Sequence, residues 1–215
     1  MATRFTFDGP EDARVTLMLA HGAGAPMDGA TMNALTKALA AANFRVARFE
    51  FGYMAARRGE DGARRPPPRA ETVIPEYVAA VDDLGPTDGP LIIGGHSMGG
   101  RVASMAADAL FAAKRIAGLV CFSYPFHPPE KPAQLRTKHL IGLKAPALFV
   151  QGTRDGFGLP TEVPVYGLPG NIEILWLEDG DHDLRPRKAI SGFTVAQHMQ
   201  TMADAVTAWT TRVAP

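Results

Sequence analysis

Apolar residues in this chain gather in short blocks separated by longer stretches of helical period. Residues 15–20 (VTLMLA), 91–93 (LII), 118–122 (GLVCF), 147–151 (ALFVQ) and 172–177 (IEILWL) are near-continuous apolar runs bounded by glycine, proline or charge. Runs of this length and composition predict strands buried on both faces. Residues 44–49 alternate Phe44, Val46 and Arg48 with Arg45, Ala47 and Phe49, a sixth strand, and 4–7 alternates as a short edge strand ended by Gly9-Pro10. Between these blocks, helical patterns cover 27–42, 72–84, 101–110 and 194–213, with a shorter one at 132–140. Asp28 is a candidate N-cap for the first helix, and Pro75 falls in the first turn of the second, where a missing N–H does little harm. Residues 50–70, rich in glycine, proline and arginine, predict a long surface excursion.

Apolar strands alternating with helices predict an α/β fold: a mostly parallel sheet flanked by helices on both faces. Right-handed crossovers place every strand's C-terminal end on one edge, where open α/β sheets bind ligands. The polar motifs fall there: 21–24 (HGAG), Ser97, 124–127 (YPFH), Asp155 and His182 each follow a strand. No internal repeat or second core is evident, so residues 1–215 read as one domain.

Composition narrows the class. The chain has 215 residues, 46% hydrophobic and 20% charged, with 22 basic against 22 acidic residues. Zero net charge argues against nucleic-acid partners and against an anionic membrane surface. No run reaches the length of a membrane span, and the N-terminal residues carry no apolar signal core. A single cysteine, Cys121, excludes an internal disulfide and a multi-cysteine metal site, and fits a reducing compartment or a small exported protein without bridges. The expectation is a cytoplasmic protein with a small-molecule substrate, no membrane or nucleic-acid partner, and no metal or other cofactor.

Candidate chemistry centres on residues 91–101 (LIIGGHSMGGR). An apolar strand passes through Gly95-His96-Ser97-Met98-Gly99 directly into a helix, which is the context of a nucleophile elbow. Ser97 would sit at the tip of a tight turn, with Gly95 and Gly99 allowing the chain to pass close to itself. A serine hydroxyl needs a base, and the base a carboxylate that orients it. His182, after the last strand, and Asp155, after the preceding one, complete the order Ser…Asp…His. Asp179, Asp181 and Asp183 are competing carboxylates, read as loop caps because they flank His182 in sequence. His96 occupies the variable elbow position, and His21 shapes the glycine turn. An oxyanion needs two N–H donors: Met98, following the nucleophile, and Ala23 in the turn after the first buried strand, with Gly22 and Gly24 the alternatives. Neither G-x-G-x-x-G nor a P-loop spacing occurs in that turn. Gly22, Gly24, Phe51, Tyr124, His127 and Phe157 are expected to contact substrate. Arg57, Arg58, Arg64, Arg65 and Arg69 could attract an anionic one, and Arg101 and Arg154 could bind a carboxylate or buttress loops.

Together HGAGAPMD, GGHSMGGRVAS, YPFHPP, QGTRDGFG and GDHDL resemble the α/β-hydrolase superfamily. More narrowly they resemble its small Tex30/KANSL-like group, with dienelactone hydrolases more distant; those use a cysteine where this chain has Ser97. The resemblance spans residues 15–213 and implies Ser97 as nucleophile, Asp155 as acid and His182 as base. Only residues 123–146 lie where the superfamily inserts a cap, so a minimal hydrolase without a large cap is implied. The expected activity is cleavage of a carboxylic ester or thioester through an acyl-enzyme. An acyltransferase with the same triad, or a non-catalytic interaction protein retaining the fold, are the alternatives.

Overall fold

The computed structural model describes residues 2–58 and 66–215. Arg64 and Arg65, candidates above, lie outside the described residues. The elements are β1 (Phe5–Asp8), β2 (Thr16–Ala20), α1 (Ala30–Ala41), β3 (Arg45–Phe49), α2 (Gly52–Ala56), α3 (Ile74–Leu84), β4 (Leu91–His96), α4 (Met98–Ala112), β5 (Gly118–Phe122), β6 (Ala147–Gly152), β7 (Ile172–Leu177), α5 (Lys188–Ser191) and α6 (Val195–Val213). One seven-stranded sheet runs in the order β1-β3-β2-β4-β5-β6-β7. All neighbours are parallel except the edge pair β1–β3.

Two-residue periodicity sorts the strand side chains into two cores. Met18, Ala20, Phe49, Ile93, Cys121 and Phe149 pack in one core with Tyr77 and Val81 of α3 and Val102 and Ala106 of α4. Leu17, Leu19, Val46, Ile92, Val120 and Val150 pack in the other with Leu35 and Leu39 of α1 and Met202, Val206 and Trp209 of α6. The central strands are therefore buried on both faces, as their continuous apolar sequences require. Order reverses at β2: the chain goes to β3 on one side and to β4 and β5 on the other. The crevice beyond β2 and β4 is thus the switch point at which such sheets bind ligands.

Local differences from the sequence reading have physical causes. The first helix begins at Ala30 with Gly29 as N-cap, not at Asp28. The Asp28 carboxylate instead takes two hydrogen bonds from the Arg58 guanidinium, at 3.1 and 2.6 Å, and this pairing lowers its pKa. Residues 132–140 form turns rather than a helix, because the Arg136 amide donates across the loop to the Phe126 carbonyl (2.7 Å). The 50–70 excursion contains α2, and α4 starts directly after Ser97, earlier than 101. The segment 123–146 holds neither helix nor strand, so among the described residues no cap stands over the switch point.

At α6, Thr194 accepts from the Gln197 amide while the Gln197 side chain accepts from the Thr194 amide, a complete capping box. Thr194→Ala is expected to lower stability by about 1 kcal/mol, read as a lower midpoint of urea unfolding at unchanged slope.

Candidate active site

Three strand ends supply the site. Ser97 follows β4 at φ 50° and ψ −115°, a backbone region that side chains disfavour. Its amide donates to the Phe122 carbonyl on β5 (2.8 Å), and its carbonyl accepts the first bond of α4, from Arg101 (3.0 Å). The turn tolerates no side chain two positions before or after Ser97. A Cβ at Gly95 would come within 2.4 Å of the Ala20 carbonyl oxygen, and one at Gly99 within 2.3 Å of the same atom. Beneath the turn, the buried Tyr77 hydroxyl bonds both the Gly94 amide (2.9 Å) and the Gly94 carbonyl (2.7 Å).

The structure brings Ser97, His182 and Asp155 together from 85 and 27 residues apart. His182 Nε2 lies 2.8 Å from Ser97 Oγ, and His182 Nδ1 lies 2.8 Å from Asp155 Oδ2. Asp155 is fully buried, and it also accepts from Gln151 Nε2 at Oδ2 (2.9 Å) and from the Phe157 amide at Oδ1 (3.0 Å). Contacts on both oxygens fix the orientation of this buried carboxylate. Phe157 stacks on the His182 ring, with centroids 4.2 Å apart, and shields one face of it.

The competing carboxylates have other partners. Asp179 pairs with Arg187 and Arg154, and these hold its carboxyl far below the usual range, the Arg187 side chain foremost. Asp181 accepts from the Asp183 and Arg185 amides (2.9 Å each), and Asp183 accepts from the Thr31 hydroxyl (2.7 Å). Arg154 is a loop buttress, spanning Asp179 and the Arg185 carbonyl.

The turn after β2 lies against the elbow. Ala23, Ser97, Met98 and Phe157 line one cleft of about 330 Å³, with Arg69, Glu71, Arg101, Pro125 and Arg136 in its walls. A Cβ at Gly22 would lie 3.6 Å from Ser97 Cβ, whereas Gly24 faces open space. Buried His21 holds the turn: Nδ1–H donates to the Gly22 carbonyl (2.6 Å), and Nε2 accepts from the Phe51 amide (3.2 Å). Burial lowers its pKa, so the neutral ring that this pattern demands is favoured.

Three expected substrate contacts are instead structural. Phe51 is fully buried, edge-on to His21 and Phe49. Tyr124 is fully buried, stacked on Phe149, with its hydroxyl donating to the Arg136 carbonyl (2.9 Å). His127 is 2% exposed, and its nitrogens reach the Pro128 carbonyl and Glu162. Their burial rests on ring contacts and hydrogen bonds with residues distant in sequence, which local sequence does not show.

Two residues were undervalued by sequence reasoning. His96 Nε2 lies 2.9 Å from the His182 backbone carbonyl, joining the elbow to the loop that carries His182. Burial lowers its pKa, which favours a neutral Nε2–H donor. Arg136 reaches the cleft from the 132–140 segment, whose helical pattern gave no sign of it because the segment folds into turns.

His139 lies behind the cleft, its Nε2 2.8 Å from the Ser104 hydroxyl. Burial first, and then the charge of Arg101, lowers its pKa from 6.5 to about 4. In that window the unfolded chain binds the extra proton, so stability is complete above pH 6.5 and falls as pH drops toward 4. Substituting His139→Gln should flatten part of the decline of thermal midpoint with falling pH; an unchanged slope would assign the decline to other groups.

An open parallel sheet with a strained serine at its switch point, hydrogen-bonded to histidine, defines a hydrolase of the α/β type. The alpha/beta hydrolase domain model matches residues 13–211, and the chain belongs to that family. Solved structures share the fold. The lidless α/β serine hydrolase XC6422 of Xanthomonas campestris is 18% identical with a TM-score of 0.68, covering 98% of this chain and 89% of that one. Dienelactone hydrolase of Anabaena variabilis is 17% identical with a TM-score of 0.69, covering 99% and 93%. Est1E of Butyrivibrio proteoclasticus, solved with ferulic acid bound, is 17% identical with a TM-score of 0.65, covering 98% and 95%. Among the described residues, no helix is long and apolar enough to cross a membrane.

Proposed function

We propose that this protein is a serine hydrolase that cleaves a carboxylic ester or thioester through an acyl-enzyme, with Ser97 as nucleophile, His182 as base and Asp155 as its orienting acid. One observation carries the reading: Ser97 Oγ, the His182 imidazole and the Asp155 carboxylate form an unbroken relay with 2.8 Å at each link. Ser97 Oγ attacks the substrate carbonyl carbon while Nε2 takes its proton, and Asp155 stabilises the resulting imidazolium. Collapse of the tetrahedral intermediate breaks the ester bond, and His182 returns the proton to the departing alcohol or thiol. Water then attacks the acyl-enzyme by the same proton route and releases the acid.

Met98 and Ala23 are the proposed oxyanion donors. Met98 is the first residue of α4, so its N–H has no partner within the helix and stands at the positive end of the dipole. The Gly22 carbonyl is held at the back by His21, with Tyr53 at 3.5 Å. A trans peptide points its N–H opposite to its carbonyl, so the Ala23 N–H is turned away from His21. Gly22 allows the turn to approach Ser97 closely, and Phe157 lines the acyl side.

The cleft is small and, among the described residues, uncapped, which suits a short or exposed acyl group. Est1E carries bound ferulic acid, and a thioesterase domain from the curacin biosynthetic pathway shares the fold, which supports an ester or thioester as the substrate class. The lone buried Cys121 favours a reducing, cytoplasmic setting. Incubation with a fluorophosphonate followed by intact-mass measurement tests the reading. One adduct per chain, absent after Ser97→Ala, is expected; folded parent protein that takes up no label would sink it.

A further inference from the structure

The cleft beside Ser97 holds more positive charge than it neutralises. Among the described residues, Arg69, Arg101 and Arg136 line it, and Glu71 is the carboxylate in its wall. Glu71 is engaged by Arg101 in a short ion pair. Its own backbone amide, and then the charges of Arg101 and Arg69, lower its pKa. Even so paired, Arg101 keeps its Nε buried with no acceptor among the described residues. Arg69 is exposed, so water and salt screen it.

Arg136 is different. It is half-buried, and among the described residues no side chain or carbonyl accepts from its guanidinium. Its backbone is fixed from both sides, the amide on the Phe126 carbonyl (2.7 Å) and the carbonyl on the Tyr124 hydroxyl (2.9 Å). Tyr124 is itself locked in the aromatic core. Burial and the nearby Arg101 charge both work against the Arg136 cation. Two guanidinium groups close together in a partly dry cleft repel, and an incoming anion relieves that repulsion. The fork of a guanidinium matches a planar carboxylate in bidentate fashion.

We propose that the cleft selects an ester whose acyl part ends in a carboxylate, with Arg136 as the specificity-determining residue and Arg101 sharing the charge. Glu71 neutralises one of the two half-buried guanidinium groups, so a singly charged group balances the remainder. This inference rests on the hydrolase reading and names the substrate class for the same site.

The test compares 4-nitrophenyl hemisuccinate with neutral 4-nitrophenyl butyrate, an ester of similar size. The parent should favour the hemisuccinate by about tenfold or more in kcat/KM, as one charge-assisted bond allows. Arg136→Gln should erase that preference, mainly through KM. Arg136→Lys, which keeps the charge but not the fork, should restore part of it. Equal kcat/KM for the two esters in the parent, or a ratio unmoved by Arg136→Gln, would overturn the proposal while leaving the hydrolase reading intact. If neither ester turns over, calorimetric titration with monomethyl succinate carries the test. Binding weakened about tenfold by Arg136→Gln supports the carboxylate site, and no binding to folded parent overturns it. Fluorophosphonate labelling reports the hydrolase reading separately.

Discussion

Ser97→Ala should lower hydrolysis of a small activated ester such as 4-nitrophenyl acetate by at least ~10³-fold, about 4 kcal/mol of barrier. Only the hydroxyl is removed, and among the described residues its one hydrogen bond is to His182. The cleft, the start of α4 and the turn after β2 stay in place, so substrate binding and oxyanion stabilisation survive. They account for the residual rate, because the remaining groups still hold the carbonyl without a nucleophile to attack it. The fold should be indifferent to the change. Alanine and serine both carry a Cβ, so each meets the same strain at φ 50°. A thermal midpoint within a few degrees of the parent, together with the lost rate, separates chemistry from unfolding. Equal rates in parent and variant would remove Ser97 from the reaction.

Asp155→Asn should lower kcat by about 10³–10⁴-fold, as expected when the base is held in the wrong tautomer. The surroundings of Asp155 decide why. The Phe157 amide donates to Oδ1, so an asparagine at 155 keeps its oxygen there and turns its NH₂ toward the old Oδ2 position. Two groups meet that position, His182 Nδ1 and Gln151 Nε2. Gln151 Oε1 is buried and has no partner among the described residues, so the Gln151 amide can flip and accept from the new NH₂. His182 Nδ1 must then accept as well, which moves the ring proton to Nε2. That nitrogen can no longer take the Ser97 proton. Kinetics supply one measurement, and nitrogen NMR of the His182 ring the other: the tautomer should switch from Nδ1–H to Nε2–H. A variant with nearly full kcat would show that the carboxylate is not needed to orient the base.

The strands and the order of the polar motifs were legible because each depends on local pattern. A strand buried on both faces must be continuously apolar, and 91–93, 118–122 and 147–150 are. The elbow was legible for a steric reason: only glycine fits at 95 and 99, where a Cβ would strike the Ala20 carbonyl. Asp28 misled because its carboxylate answers to Arg58, 30 residues away, rather than to the helix end beside it. The 132–140 stretch has helical composition, yet a hydrogen bond to Phe126 draws it into turns.

Sequence by itself determined the class of fold and the serine at the turn, because period and glycine spacing are properties of neighbours along the chain. Tertiary structure decided which side chains face the cleft. Phe51, Tyr124 and His127 turned inward, since apolar and hydrogen-bonding surface beneath the loops gained more from them than open solvent offered. Arg136 turned outward because Tyr124, once buried, fixed its backbone at the rim. Such outcomes depend on packing between segments far apart in the chain, and no local pattern records them.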